Sequence, residues 1–428
     1  MSNRLDSLQH QLLNETVLAE WFAPMQKALD RVRYSRQRHS TLSVDFFILL
    51  GCLRQLQGMK ILRELIQSLF DLDTTAEKVP LARSTWSDAL ANRGRRDILR
   101  AATQQLVVVA RNELPDRFAD YTELGSRPLY ALDATYQTES SHYRPVYPRD
   151  GGTDNSKGHM ALTTYDLRCG IAVDVATETA SIDEMRFVKE GWIAKQWTCQ
   201  KQAIYVVDRA FIDARYWDQR KLNHQATVIT RMKSVFKYEV LKETALAVTP
   251  INEGVIWDKT IQLNSSKQTW RLIQFLAPDG KIYEYLSNDF TLLPGTIAFL
   301  YHRRWDEEKY FDNYKTDLAN AKAWGKSPVA IEQQALLGLV THLLTRLFLH
   351  KKAQELGLEE DHHTQQKRHQ NKAVNYIVNW VGNYNRAFFT KLSKITKQIW
   401  RFLKNSFHKR SHPQLFERKL RPVLMAYL

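Results

Sequence analysis

The chain is poor in cysteine: Cys52, Cys169 and Cys199 are the only three in 428 residues, and they stand far apart. None belongs to a CxxC pair or to a Cys/His spacing suited to a metal. Neither a disulfide framework nor a structural zinc site is therefore expected, and this usage fits a reducing cytosol. No apolar run approaches the roughly 20 residues needed to span a bilayer. The N-terminus also lacks a charged start followed by an apolar stretch and a cleavage site. The expectation is a soluble, cytoplasmic protein with no membrane contact. No GxxxxGK[ST] loop occurs, so no nucleotide cofactor is expected. Internal repeats and low-complexity linkers are missing too. His362, His363 and His369 have no partner ligands at metal spacing and read as surface histidines.

What is present is positive charge. Lys and Arg number 61 against 46 Asp and Glu, for a formal net charge of +15. Such an excess is unusual for an enzyme of small metabolites. It favours a polyanionic partner, because Lys and Arg gain by displacing counterions from phosphates. The bland alternative is a solvated basic surface. With 44% hydrophobic and 11% aromatic residues, a packed core is expected. The length suits two or three domains.

Residues 1 to about 120 carry apolar positions at mixed spacings of three and four, as from Leu42 to Ile66, the pattern of packed amphipathic helices. Ser84 and Thr85 precede a capped helix start. Nearby Arg83, Arg93, Arg95 and Arg96 would suit DNA contact through a small helical domain, or an ordinary helix surface. From Pro128 the texture becomes β-rich: RPLYALDATYQ, HMALTTYDL and GIAVDVATET, then a helix over 181–202, then AIYVVDRAF. A helix around Tyr216–Leu222 and the strand ATVITRMK follow, so an α/β sheet with parallel pairing is expected. Between about Phe236 and Ser287 the pattern alternates and is broken by turns, with Asp279-Gly280 fitting a hairpin. Helical periodicity returns near Leu293, and a long apolar helix is expected over Ile331–Leu349. From His362 on, fourteen Lys and Arg face the single acid Glu417, with Trp380 and Trp400 interleaved. That tail reads as a folded basic helical region.

Two aspartates stand out by position. Asp133 ends the apolar run LYAL and Asp208 ends IYVV, and α/β sheets place ligands beyond the carboxyl ends of their strands. Taken singly, each could as well cap a turn. A third element is sharper. In YHRRWDEEKYFDNYK, Tyr301, Arg304, Glu308 and Lys315 stand at offsets 0, 3, 7 and 14. At 100° per residue they fall within a stripe about 60° wide on one helix face. A carboxylate there can bind a metal, while Arg and Lys grip phosphate oxygens and Tyr offers a hydroxyl. The competing reading is a solvated helix with i,i+4 pairs such as Arg304 and Glu308.

The pattern Y-x2-R-x3-E-x6-K resembles the YREK signature of DDE transposases from bacterial insertion sequences, and every position is filled here. The resemblance extends to LDAT, where the family often has Gly in place of Ala134, to VVDRAF, and to Arg231 in the strand after Asp208. It covers about Leu129–Lys315. It implies an α/β fold: a ribonuclease-H-like catalytic domain over 123–232 and 299–350, interrupted by a β-rich insertion at 233–298. Helical regions would flank it, 1–122 for DNA-end binding and 351–428 for dimerisation or DNA contact. Asp133, Asp208 and Glu308 would be the catalytic, metal-binding triad. Tyr301, Arg304, Lys315, Arg209 and Arg231 would bind DNA phosphates. The implied cofactor is Mg2+, two ions, with Mn2+ as a substitute. The implied partners are double-stranded DNA (transposon ends and target) and a second copy in a homodimer. Trp257 and Trp270 lie in the insertion, where such enzymes stack an unpaired base, but both alternate with apolar neighbours and read as core. Besides an active transposase, the sequence leaves open a metal-dependent structure-specific nuclease and a domesticated, inactive DNA-binding relative.

Overall fold

The computed structural model describes residues 2–13, 16–32, 42–56, 62–63, 65–66, 81–137, 158–179, 182–277, 280–304, 323–325 and 327–355. Among the described residues the first helices are α1 (Ser2–Leu13), α2 (Thr16–Arg31), α3 (Val44–Leu56), α4 (Arg83–Ala91) and α5 (Arg93–Glu113). In α5, Leu99, Ala102, Thr103, Leu106, Val107 and Ala110 are buried at spacings of three and four, one apolar stripe against the core. Its start is capped by Asn92, whose side chain accepts from the Arg95 amide at 3.0 Å.

The strands are β1 (Leu129–Gln137), β2 (His159–Asp166), β3 (Ile171–Thr179), β4 (Ile204–Val207), β5 (Thr227–Arg231), β6 (Tyr238–Thr244), β7 (Val255–Leu263), β8 (Thr269–Leu276) and β9 (Ile282–Ser287). Between β3 and β4 the expected single helix is two short ones, α6 (Glu184–Glu190) and α7 (Trp192–Trp197). Gly191 ends the first, with its N–H donating to Phe187 O, and forms the N-cap of the second. Helix α8 (Ala214–His224) links β4 to β5, and α9 (Pro294–Arg303) and α10 (Pro328–Glu355) follow the strands.

All nine strands join one sheet in the order β3-β2-β1-β4-β5-β9-β8-β7-β6. Among the described residues, only β1/β4 and β4/β5 pair in parallel. Strand β4 is buried along its whole length, as a central parallel strand with covered faces must be. The strands between Tyr238 and Ser287 do not form a separate sheet. Antiparallel pairing of Arg231 with Tyr285 and of Ile229 with Ser287 carries the sheet straight from β5 into β9. At the β8–β9 hairpin Gly280 takes φ of +83°, a conformation glycine adopts without steric cost.

One apolar cluster runs through the helices and the sheet. Helix α10 lies at its centre, packed against α2, α3, α4, α5 and β3. It is buried nearly all round from Ala330 to His350, as expected of a helix surrounded by protein. Ion pairs tie these layers together: Arg100 of α5 reaches Glu332 of α10 at 2.7 Å and Asp174 of β3 at 2.9 Å. Among the described residues, no helix is long and apolar enough to cross a membrane.

Candidate active site

Strands β1 and β4 run parallel with Leu132 beside Val207. The next residues are Asp133 and Asp208, so the two carboxylates leave adjacent strands about 4.8 Å apart at equivalent positions. Asp208 stands where expected, just past the end of β4, and its Oδ1 accepts the Arg209 amide at 2.6 Å to cap a turn over Arg209–Phe211. Asp133 is placed differently from the sequence reading. It lies inside β1, which continues to Gln137 because β2 pairs with it along its whole outer edge. The parallel neighbour β4 ends at Val207, and beyond that point Asp133 is left half-exposed.

The third side of the cleft is the C-terminal end of α9. Its N-terminus is docked by Glu123, which accepts the Leu293 amide at 3.0 Å and the Thr296 hydroxyl. A carboxylate there also complements the positive end of the helix dipole. Gly295 allows the close approach of this first turn to Ile251, since a Cβ would fall 1.7 Å from the Ile251 carbonyl oxygen. So anchored, α9 lies against β4, β5, β8 and β9 and delivers Tyr301 and Arg304 to the two aspartates. Arg304 Nη1 lies 3.9 Å from Asp133 Oδ2, with the arginine side chain only 9% exposed.

Tyr301 is buried and packs on Tyr285, ring centroids 5.1 Å apart, while the Arg304 guanidinium lies 5.7 Å from the Tyr301 ring centre. Burial raises the Tyr301 hydroxyl above the usual phenol range; Arg304 and Arg231 oppose that rise and Asp208 adds to it. The hydroxyl therefore stays protonated at neutral pH. Arg231, at the end of β5, holds its guanidinium 4.9 Å from the centre of the Tyr283 ring. Arg209 is exposed beside Asp208.

The structure thus brings Asp133, Asp208, Arg209, Arg231, Tyr301 and Arg304 to one end of the β1–β4–β5 edge. Glu308 and Lys315 lie outside the described residues, as do the basic tail and His362, His363 and His369. Among the described residues, no three His, Cys, Asp or Glu side chains cluster in a metal-ready group. Asp133 and Asp208 together still present the hard oxygen donors that Mg2+ and Mn2+ take. Sequence reasoning missed Glu123, Tyr283 and Tyr285. The tyrosines alternate in KIYEYL, which marks a strand but not what lies above it.

Outside this cleft the expected roles divide. Trp270 is fully buried and donates to Asp218 at 3.1 Å, which is a core role. Trp257 is half-buried, with Lys259 Nζ 4.3 Å from its ring centre. Of the four N-terminal arginines, Arg83 and Arg93 are exposed. Arg95 is buried and donates to the Leu42 and Ser43 carbonyls, and Arg96 pairs with Glu332 at 2.6 Å.

The model of the family described as transposase DDE domain matches residues 125–344, a span that includes Asp133, Asp208, Arg231, Tyr301 and Arg304. A protein of Geobacillus stearothermophilus, named as a probable transposase for insertion sequence element IS5377, is 26% identical over 224 residues. That alignment covers 51% of this chain and 56% of the relative, so the chain spans about half the length of the curated relative it matches.

Proposed function

We propose, from the premise that this chain belongs to the transposase DDE-domain family, that it is an insertion-sequence transposase that cuts DNA at the ends of its own element and joins the freed 3′-OH ends to target DNA. The observation that carries this reading is the pair Asp133 and Asp208 at equivalent positions on parallel strands, with Arg304 of α9 beside them. The fold supports it as well: the order β3-β2-β1-β4-β5, with only the last three strands parallel, fits a ribonuclease-H-like core, and β6–β9 fit the insertion.

In this reading Asp133, Asp208 and Glu308 hold two divalent ions of the Mg2+ class, which would activate a water and offset charge on the leaving oxygen of a phosphodiester. The chain's own groups do the rest. Arg304, Arg209, Arg231 and Lys315 grip phosphate oxygens and fix the strand in line for attack. Tyr301 is too enclosed to meet DNA by its ring, so it backs Arg304 and offers only its protonated hydroxyl. Asp208 is oriented by the Arg209 amide, which donates to one of its oxygens. We further propose that DNA ends are recognised by the helical region 1–122, that 123–232 with 299–350 forms the catalytic domain, and that two copies act as a homodimer on paired ends. The positive charge of the chain supports a duplex DNA partner.

The test is strand cleavage of labelled DNA from the flanks of the gene with Mg2+ or Mn2+, comparing wild type with Asp208→Asn and Glu308→Ala. Cutting at a defined end by wild type alone, followed by joining to a plasmid, is the expected result. Equal cutting by the variants would overturn the assignment of the site. Binding without cutting by wild type would make the chain a DNA-binding relative.

A further inference from the structure

Two carboxylates side by side on neighbouring strands repel each other, and among the described residues Arg304 brings a cation to Asp133. Its Nη1 lies 3.9 Å from Asp133 Oδ2. That is within ion-pair range but beyond a hydrogen bond, so the attraction is largely Coulombic and easily redirected. It is also poorly screened, because the arginine side chain is 9% exposed. The guanidinium has a second support that does not depend on Asp133. It lies 5.7 Å from the centre of the Tyr301 ring, and that ring is fixed against Tyr285 at 5.1 Å. Arg304 can therefore let go of Asp133 without losing its seat.

We propose that Arg304 is the resident counter-ion of Asp133, and that a divalent cation and a DNA phosphate displace this pairing together, the cation taking Asp133 and the phosphate taking the guanidinium. The inference rests on the metal-binding reading of Asp133 given above. Without DNA, Arg304 competes with the cation for Asp133 and weakens its binding. With a phosphate in the cleft, the guanidinium has another anion to neutralise, and Asp133 is released to the metal. Because coupling between two ligands is reciprocal, the cation must then tighten DNA binding by the same factor that DNA tightens cation binding. The pairing thus restrains the site from loading metal until the scissile strand is present.

The experiment measures Mn2+ binding to the full-length protein without DNA, by the electron paramagnetic resonance signal of free Mn2+. Wild type is compared with Arg304→Met, Arg304→Lys, Arg231→Met and Asp133→Asn. Arg304→Met is expected to bind Mn2+ at least about fivefold more tightly, the lower end of ordinary coupling. Arg304→Lys, which keeps the charge, should stay near wild type. Arg231→Met removes a charge that is not paired with Asp133 and should change affinity by less than about twofold. Equal tightening by Arg304→Met and Arg231→Met would reduce the effect to general electrostatics and overturn the proposal. So would unchanged or weaker binding by Arg304→Met, or a lysine variant as tight as the methionine one. A second readout is the affinity of labelled flank DNA in Ca2+ against EDTA: the gain in wild type should vanish in Arg304→Met, and its persistence would also overturn the proposal. If Asp133→Asn holds Mn2+ as wild type does, the metal-site reading itself fails. If it loses Mn2+ while Arg304→Met behaves as wild type, only the counter-ion role fails.

Discussion

The carboxylate of Glu123 receives the hydroxyl of Thr296, a residue 173 positions later in the chain. It also takes the Leu293 amide, so one side chain caps the first turn of α9. The far end of that helix carries Tyr301 and Arg304. Loss of this cap should cost about 1–2 kcal/mol and let the helix shift along its axis. Glu123→Ala is thus expected to lower the urea midpoint modestly while reducing DNA cutting much more than stability. A variant that loses stability but cuts normally would show that α9 is positioned by its packing alone.

Asp133→Asn and Asp208→Asn should each reduce metal-dependent strand cleavage by at least about 100-fold, the scale of losing one charge-stabilising group. Both side chains are half-exposed at the mouth of the cleft, so thermal stability should stay within about 1 kcal/mol of wild type. Chelation of divalent ions should abolish cutting, and added Mg2+ should restore it. Cutting that survives chelation would contradict the proposed chemistry.

The N-terminal arginines are expected to separate by burial. Arg93 and Arg83 are exposed, and replacing either with Ala should leave stability within about 0.5 kcal/mol while weakening binding of end DNA. Arg95 holds the Leu42 and Ser43 carbonyls from a buried position. Arg95→Ala should cost about 1–3 kcal/mol by leaving those acceptors unpaired. Denaturant melts and a DNA mobility shift on the same three variants test both halves, and unchanged binding by the exposed pair would move end recognition elsewhere.

Arg100 joins α5 to Glu332 of α10 and to Asp174 of β3 in a largely buried network. Arg100→Met takes one cation from both carboxylates, of which Glu332 keeps Arg96 and Asp174 keeps the Trp197 indole N–H, and is expected to destabilise by about 1–3 kcal/mol. The double variant with Glu332→Gln should lose less than the sum of the two single losses, because both single changes remove the same Arg100–Glu332 pair. Strictly additive losses would mean that the two residues do not interact.

Burial lowers the pKa of His159 to about 4 and that of His342 to about 3, the second also through Arg346 and Arg117. Both imidazoles are neutral in the folded protein, whereas an unfolded histidine takes up its proton near pH 6.5. Below that value the unfolded chain binds more protons, so stability must fall as pH drops from about 6.5 toward 4. Each histidine should cost about 2 kcal/mol at pH 5. In His159→Gln the slope of melting temperature against pH should be shallower across this window, and an identical slope would mean that His159 titrates normally.

By itself, the sequence determined the strand at IYVV and the aspartate that ends it, because a central parallel strand must be apolar throughout and a charge marks where its cover stops. It also determined the stripe at Tyr301 and Arg304, since helical spacing follows from chain geometry alone. Tertiary structure decided the rest. Nothing in LYALDATYQ says that β1 runs past Asp133, because that depends on β2 pairing along its far edge. Arg93 and Arg95 look alike in sequence, yet one faces water and the other is buried against α3 by the docking of α5. The strands from Tyr238 onward alternate as any exposed ribbon would, and only the pairing of β5 with β9, as of Arg231 with Tyr285, makes them part of the sheet that carries the two aspartates. Local pattern fixes which face a side chain takes on its own element. What that face meets is set by contacts between residues far apart in the chain.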